Sequence, residues 1–473
     1  MSKFTVHYRI TKSMTNKKTQ SIPISDNENY HKKEDFDIMS DTNLSLHFNN
    51  KPVRLKKGKK LKVLSLFSGC GGMDLGFEGG FVVHKQNVNK KMCPDFIEKE
   101  IDDNFVQLRS TIFQTTFAND ILKEAKIAWV HYFSKIGYSP ELFYSESIVD
   151  LVRRHKQGEA IFPVHIDVVT GGFPCQDFSV AGKRNGFNSQ KDHNGKVIHG
   201  DIPNEETRGK LYSWMKEVID ITKPKIFIAE NVKGLVNFGD IKDIIQKDFS
   251  TADGNGYIVL TPKVLHAANY GVPQSRERVI FIGIRKDVLK KEALKALEQK
   301  EIPDEYNPYP KPTHNFNLHD RELAPCQTLS NTFKELEEPN KSKDLSQQLY
   351  SMAKFMGKHC QGQTEINLNG IGPTIRSEHH GNIEYRRLSL EHGGKYMDEL
   401  NAKMKERRLT PRECALIQTF PIDYEFVIKK GYKNSNYALS PSAAYKIIGN
   451  AVPPLLAYNI AKRIEKVWNL YFD

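Results

Sequence analysis

Cysteine is scarce in this chain, and what there is lies far apart. The six cysteines, Cys70, Cys93, Cys175, Cys326, Cys360 and Cys414, form no C-x-x-C pair, so neither a structural zinc site nor a disulfide framework is indicated. Long apolar runs are missing as well. No stretch approaches the roughly 18 apolar residues that a membrane-spanning helix needs. The start, Met1 to Lys12, lacks the apolar centre of a secretory signal. There is no internal repeat and no extended low-complexity tract. Together these absences exclude the secreted, disulfide-stapled and membrane-spanning classes. They point to a reduced, soluble, intracellular protein, with the cytoplasm as its expected setting and no membrane partner.

What the chain has is positive charge. Its 473 residues carry a formal net charge of +12, which suits a polyanionic partner because clustered Lys and Arg release counterions from phosphates. Plain solubility explains the charge equally well, so the number alone divides the two readings evenly. Residues 1–60 are polar and end in a basic run from Lys51 to Lys62. They read as a solvated extension in preference to an arm along a DNA backbone.

From residue 61 the pattern changes. Apolar runs of strand length occur at Val63–Phe67, Ile166–Thr170, Ile226–Ala229 and Val279–Ile284, with helix-like stretches at Leu211–Ile221 and Ile241–Phe249. Apolar strands alternating with helices predict an α/β fold whose mostly parallel sheet is covered on both faces. Residues 287–403 break this rhythm and read as a separate, less regular module. Order returns where Thr410 is placed to N-cap a helix, with Pro411 at its first position and Glu413 closing a capping box. A last helix is predicted from Pro453–Pro454 through Ile464.

Four sites carry chemistry. The first is the turn from Phe67 through Gly69, Gly71 and Gly72, which follows a strand and opens a helix, as nucleotide-binding turns do. It is not a G-x-G-x-x-G motif, because Asp74 stands where the third glycine would be. The second is Gly171 to Ser179, where Pro174 fixes the backbone before Cys175 at a strand end. A lone cysteine is more often an inert core residue than a nucleophile, but the glycines before Cys175 and the polar Gln176 and Asp177 after it argue against a core position. The third is the pair Glu230 and Asn231 at the end of an apolar strand. A carboxylate there needs a partner or a task, and capping loop amides is the plainer alternative. The fourth runs from Gln274 to Gly283, where Arg276 and Arg278 enter a strand on one face. Paired arginines at a sheet end suit anion or carbonyl recognition, with surface salt bridges as the competing view.

In this order the four sites resemble the cytosine-5 DNA methyltransferases. The family's blocks stand at Phe67–Gly72, at Gly172-Phe-Pro-Cys-Gln176, at Arg208-Gly-Lys-Leu211, at Glu230-Asn-Val232 and at Gln274 to Arg278. They continue in the R-x-L-T-P-R-E-C helix from Arg407 or Arg408, and in Gly449-Asn-Ala-Val-Pro-Pro454. The resemblance covers roughly residues 61–286 and 404–465. Several blocks in fixed order are far more specific than any one of them.

The resemblance implies an S-adenosylmethionine-dependent methyltransferase fold, a Rossmann-like, mostly parallel sheet with a second, smaller target-recognition domain. Residues 61–286, completed by 438–473, would be the catalytic and cofactor domain, and residues 287–437 the target-recognition domain. It also implies a reaction, methyl transfer from S-adenosylmethionine to carbon 5 of a cytosine flipped out of double-stranded DNA. Cys175 would be the nucleophile, Glu230 would hold the ring, and Arg278, with Arg276, the base's carbonyl oxygen or nearby phosphates. Phe67, Gly69, Gly71, Gly72, Asp120, Ile121, Leu211 and Asn450 would line the donor pocket. Gln176, Ala181, Thr374 and Arg376 would touch DNA. No metal is implied. A monomer is expected, in a bacterial restriction–modification system with a restriction endonuclease acting on the same site.

Three departures from the family pattern stand out. Residues 82–112 are an insertion rich in Lys, Asn and Asp. Glu146-Ser-Ile148 stands where the family has Gly-Asp-Ile, with Ser147 in the acid's place. The loop after Cys175 is enlarged, from Asn185 to Glu206. Two rival readings come from other classes. A cysteine hydrolase could use His84, His165 or His266 as its base, though none has a companion motif. A DNA-binding regulator could keep the fold without catalysis, but Cys175, Glu230 and Arg278 are all intact.

Overall fold

Apolar, largely β-branched segments ending in glycine or polar turns build the centre of the protein. A computed structural model describes residues 60–174, 211–237, 240–378, 380–431 and 436–473. Eight strands share one sheet: β1 (Leu61–Leu66), β2 (Phe113–Asn119), β3 (Phe143–Tyr144), β4 (Val168–Gly172), β5 (Ile226–Val232), β6 (Tyr257–Val259), β7 (Lys263–His266) and β8 (Glu277–Arg285). Their order is β7-β8-β5-β4-β1-β2-β3, with β6 also on β8. β1 to β5 pair in parallel, whereas β8 runs antiparallel to β5, β6 and β7.

Side chains that alternate along each strand divide the core in two. Val63, Val168, Ile226, Ile228, Ile280 and Ile282 point to one face, under helices α1 (Gly72–Glu78), α2 (Lys123–Lys135) and α8 (Pro454–Tyr471). Leu64, Leu66, Val169, Phe227, Val279 and Phe281 point to the other, against α3 (Ile148–Lys156), α4 (Leu211–Thr222) and α5 (Ile241–Ser250). Burial on both faces is why these strands read as continuous apolar runs. Each fully buried Val, Leu, Ile or Phe contributes about 1.5–3 kcal/mol.

Residues between β8 and Pro441 form short elements. Tyr385–Arg387 pairs with Arg407–Arg408, and His314–Asn315 with Ala324–Pro325. The expected capping box is present on α6 (Pro411–Ile417). The Thr410 hydroxyl accepts from Glu413 N at 3.0 Å, and Thr410 N donates to the Glu413 carboxylate at 2.9 Å. Just after α6, Tyr424 stacks on Tyr132 of α2 at 4.4 Å and donates its hydroxyl to the carbonyls of Cys70 and Ala128. α7 (Pro441–Asn450) precedes α8. The insertion folds into a three-stranded antiparallel sheet of Val82–His84, Phe105–Leu108 and Ile97–Glu100.

Candidate active site

The strand order reverses between β1 and β4. The chain leaves β1 toward β2 on one side, and leaves β4 toward β5 on the other. A crevice opens outside the carboxyl ends of the two strands at such a switch point, and ligands of α/β sheets bind there. Leu66 pairs with Gly171, so the glycine turn after β1 and the segment running toward Cys175 leave the sheet side by side. β8, being antiparallel, begins at the edge where β5 ends.

That reversal brings two distant residues together. Arg278 pairs in register with Val232, and Ile280 with Glu230. The Arg278 Nε lies 2.7 Å from Glu230 Oε1, both side chains being nearly buried. Burial pushes the Glu230 carboxyl above its ordinary value, and the charges of Arg278 and Arg276 hold it back. On the other side Gly172 pairs with Glu230. A Cβ on Gly172 would lie 2.9 Å from Glu230 Oε2, so the carboxylate rests where any other residue would put a side chain. The neighbouring Asn231 donates from Nδ2 to the Phe173 carbonyl at 3.2 Å, tying the end of β5 to the segment before Pro174. Cys175, Gln176 and Ala181 lie outside the described residues.

Arg276 behaves differently from Arg278. It is 1% exposed, and its guanidinium donates to the carbonyls of Ile375, Gly449 and Ala451 at 2.8–2.9 Å. Gln274 beside it accepts from Ile375 N and donates to Gln418. The first two side chains of the Gln274–Arg278 block therefore brace the backbone, while the third reaches the carboxylate.

The β1 turn is built for close approach. Phe67 holds a positive φ of 52°, uncommon for a residue with a side chain and sustained only by its surroundings. Here Ser68 N donates to the Asn119 carbonyl at 2.8 Å, and Asn119 N returns a bond to the Ser68 hydroxyl. Gly71 and Gly72 pack against Trp129, Phe133 and the Val452 carbonyl, while Gly69 faces open space. Asp120, directly after β2, accepts from Gly69 N at 2.9 Å and Leu122 N at 2.8 Å. Burial raises its pKa, an effect partly offset by the Leu122 and Gly69 amides and then by Lys446 of α7. Ile121 beside it is 40% exposed. An open glycine, a carboxylate with lone pairs left for hydroxyl donors and a bare apolar side chain fit a ribose and an adenine. Leu211 is buried at the start of α4, and Asn450 is exposed at the end of α7. Ser147 N-caps α3, accepting from Val149 N at 3.3 Å.

In the sequence Asp74 stands out only as a missing glycine. It is fully buried, accepting from the Ser65 hydroxyl and from Trp129 Nε1 at 2.7 Å, so it pins α1 to both β1 and α2. Burial pushes its carboxyl up to about 6. A buried acid flanked by an indole and a hydroxyl leaves no periodic signal, so nothing in the spacing could have found it.

Farther out, Thr374 donates to the Ser275 carbonyl. Arg376 donates to Gln361 and to the Asn382 carbonyl, and pairs with Glu384 at 3.1 Å. Arg386 and Arg387, which as sequence look suited to reading guanine, are committed elsewhere. Both are buried and paired with Glu399, and Arg387 also with Glu338. Exposing either to read a base would leave a carboxylate unpaired.

The sheet, its switch-point crevice and the glycine turn define an S-adenosylmethionine-dependent methyltransferase fold. Residues 61–466 match the C-5 cytosine-specific DNA methylase family. The Type II methyltransferase M.BsuRI of Bacillus subtilis is 32% identical over 413 residues, covering 86% of this chain and 79% of its own. M.NgoPII of Neisseria gonorrhoeae is 28% identical over 430 residues, covering 86% and 96%. Among solved structures, the S. pombe Dnmt2 methyltransferase is similar with a TM-score of 0.47 at 15% identity, over 86% of this chain and 99% of that one. The chain belongs to the C-5 cytosine-specific DNA methylases. Its reaction is methyl transfer from S-adenosylmethionine to carbon 5 of cytosine in DNA. No helix among the described residues is long and apolar enough to cross a membrane.

Proposed function

We propose that this chain methylates cytosine through a covalent Cys175 adduct and is the modification enzyme of a restriction–modification system. The observation that carries the mechanism is the Glu230–Arg278 pair against Gly172, three residues before Cys175. The target base leaves the stack at a cost of a few kcal/mol. The Cys175 thiol first loses its proton to water, the positive charge of the pocket stabilising the thiolate, which then adds to carbon 6. Glu230, its carboxyl shifted toward the protonated form, hydrogen-bonds the ring nitrogen and exocyclic amine and stabilises the charge that addition creates. Arg278 spans Glu230 and the base's carbonyl oxygen, with Arg276 acting behind it. The donor supplies an electrophilic methyl group to carbon 5. The carbon-5 proton then leaves to a base, the carbon–sulfur bond breaks, and the thiolate returns.

Phe67, the three turn glycines, Asp120, Ile121, Leu211 and Asn450 hold the donor, with Asp120 on the ribose hydroxyls. Residues 61–286 and 438–473 form the catalytic and cofactor domain, and residues 287–437 read the target. Gln176, Ala181, Thr374 and Arg376 face DNA. The Type II names of the relatives support a cognate endonuclease acting on the same site, with the enzyme a cytoplasmic monomer. Expression in a host without DNA methylation, followed by bisulfite sequencing, tests the proposal. Complete protection of one short motif by the chain, lost in Cys175→Ala, is the expected result. Methylation scattered over unrelated cytosines contradicts the restriction–modification reading.

A further inference from the structure

Residues 351–356 lie outside any strand ladder with exposure alternating residue by residue, and the chain turns at Gly357, whose φ is 90°, with Cys360 N donating to the Gly357 carbonyl at 3.1 Å. Met352, Lys354, Met356 and Lys358 face outward, the methionines 81% and 57% exposed. Leu390, in the neighbouring turn, is 68% exposed. A soluble protein rarely leaves such a row bare without a use for it.

The inner face is held firmly. Arg408, 1% exposed, donates to the Ala353 carbonyl at 2.8 Å and the Lys354 carbonyl at 3.2 Å. The Tyr385 hydroxyl also reaches Ala353, and Met356 N donates to Gln363. Phe355 stacks on His392 at 4.2 Å. At its start, Ser351 N donates to the Tyr445 hydroxyl, on the helix that ends at Asn450. The row is therefore presented by a clamped backbone.

Its chemistry selects the partner. Lysines alternate with flexible, polarizable methionines, and residues 351–360 contain no acid. Two copies of this row would set lysine against lysine, which disfavours self-association. Lys354 and Lys358 suit the phosphates of the DNA that this family methylates.

We infer that residues 351–360 form a ribbon that lies on duplex DNA, with Lys354 and Lys358 on phosphates and Met352 and Met356 against sugar and base surface. The inference rests on the proposal that residues 287–437 engage the target. The test is methyl transfer by the full chain from tritiated S-adenosylmethionine to a target-containing duplex, over a range of salt concentrations. Lys354→Ala with Lys358→Ala should raise KM for DNA severalfold and make the salt slope of log kcat/KM shallower by about 2. Donor affinity by calorimetry and kcat at saturating DNA should not change. Met352→Ser with Met356→Ser should raise KM for DNA with the slope unchanged. Parental KM and slope in both double variants overturn the ribbon, and so does a methionine effect seen only as altered sedimentation of the free protein. In either case the methyl transfer, read in the same assay, still stands.

Discussion

Replacing Gly172 by alanine separates catalytic geometry from stability. Gly172 has no positive φ to strain, so alanine is tolerated by the backbone. The new Cβ would lie 2.9 Å from Glu230 Oε2, and among the described residues the only other atom it meets within 4 Å is the Glu230 carboxyl carbon, at 4.0 Å. To regain an ordinary contact the carboxylate must retreat by about half an ångström. The far end of one side chain can do this at little cost to folding, so Tm should move by less than about 2 °C. Catalysis tolerates it less, because reacting groups must be held within about 0.5 Å of their productive positions and a 1 Å error costs about 100-fold. Gly172→Ala should therefore lower kcat by about 10- to 100-fold, with KM for the donor nearly unchanged. Single-turnover incorporation of tritiated methyl groups measures this, with Glu230→Gln as the reference for full loss of the charged contact, a change of about 2–4 kcal/mol. Unchanged turnover with a fully folded protein would refute the argument that Glu230 works from beside Gly172.

Two further outcomes follow from the buried charges. The Asp74 carboxyl is raised to about 6, so the folded state holds a proton that the unfolded chain releases near pH 4. Stability from this group is complete below that pH and is lost as pH rises through about 6, some 3 kcal/mol in all. In urea titrations at pH 4.5, 5.5 and 7, Asp74→Asn should flatten that decline. An unaltered pH profile contradicts the assignment. Arg276→Met strips three buried carbonyls of their donor and should cost about 3 kcal/mol, read as a lower urea midpoint. Arg278→Met should instead lower kcat with a smaller change in midpoint. The reverse pattern would exchange the two roles.

The chain discloses its local devices well. The Thr410–Glu413 box depends on residues three apart, and sequence reading finds it at the right place. Strands buried on both faces, such as Val168–Gly172 and Ile226–Val232, announce themselves as apolar runs. Direction is another matter. An apolar strand looks the same whether it pairs parallel or antiparallel, so β8 gave no hint of running backwards, and that reversal is what delivers Arg278 to Glu230. Arginines are the hardest to read. Arg276, Arg278, Arg386 and Arg387 look alike in sequence, yet one clamps carbonyls, one meets the Glu230 carboxylate and two are spent in buried ion pairs. Partners supplied from 12 to more than 100 positions away decide these roles, and no short-range pattern encodes them.

The central claim is that Cys175 bonds to the base it methylates. Duplex DNA carrying 5-fluorocytosine at the target position measures this directly, because fluorine cannot leave as a cation when the adduct should collapse. With S-adenosylmethionine present, the account predicts a denaturant-resistant protein–DNA complex whose crosslinked peptide contains Cys175. Cys175→Ala should form none while still binding the duplex. A Cys175→Ala protein that methylates cytosine at even a few per cent of the parental rate, or a crosslink at another residue, would contradict it.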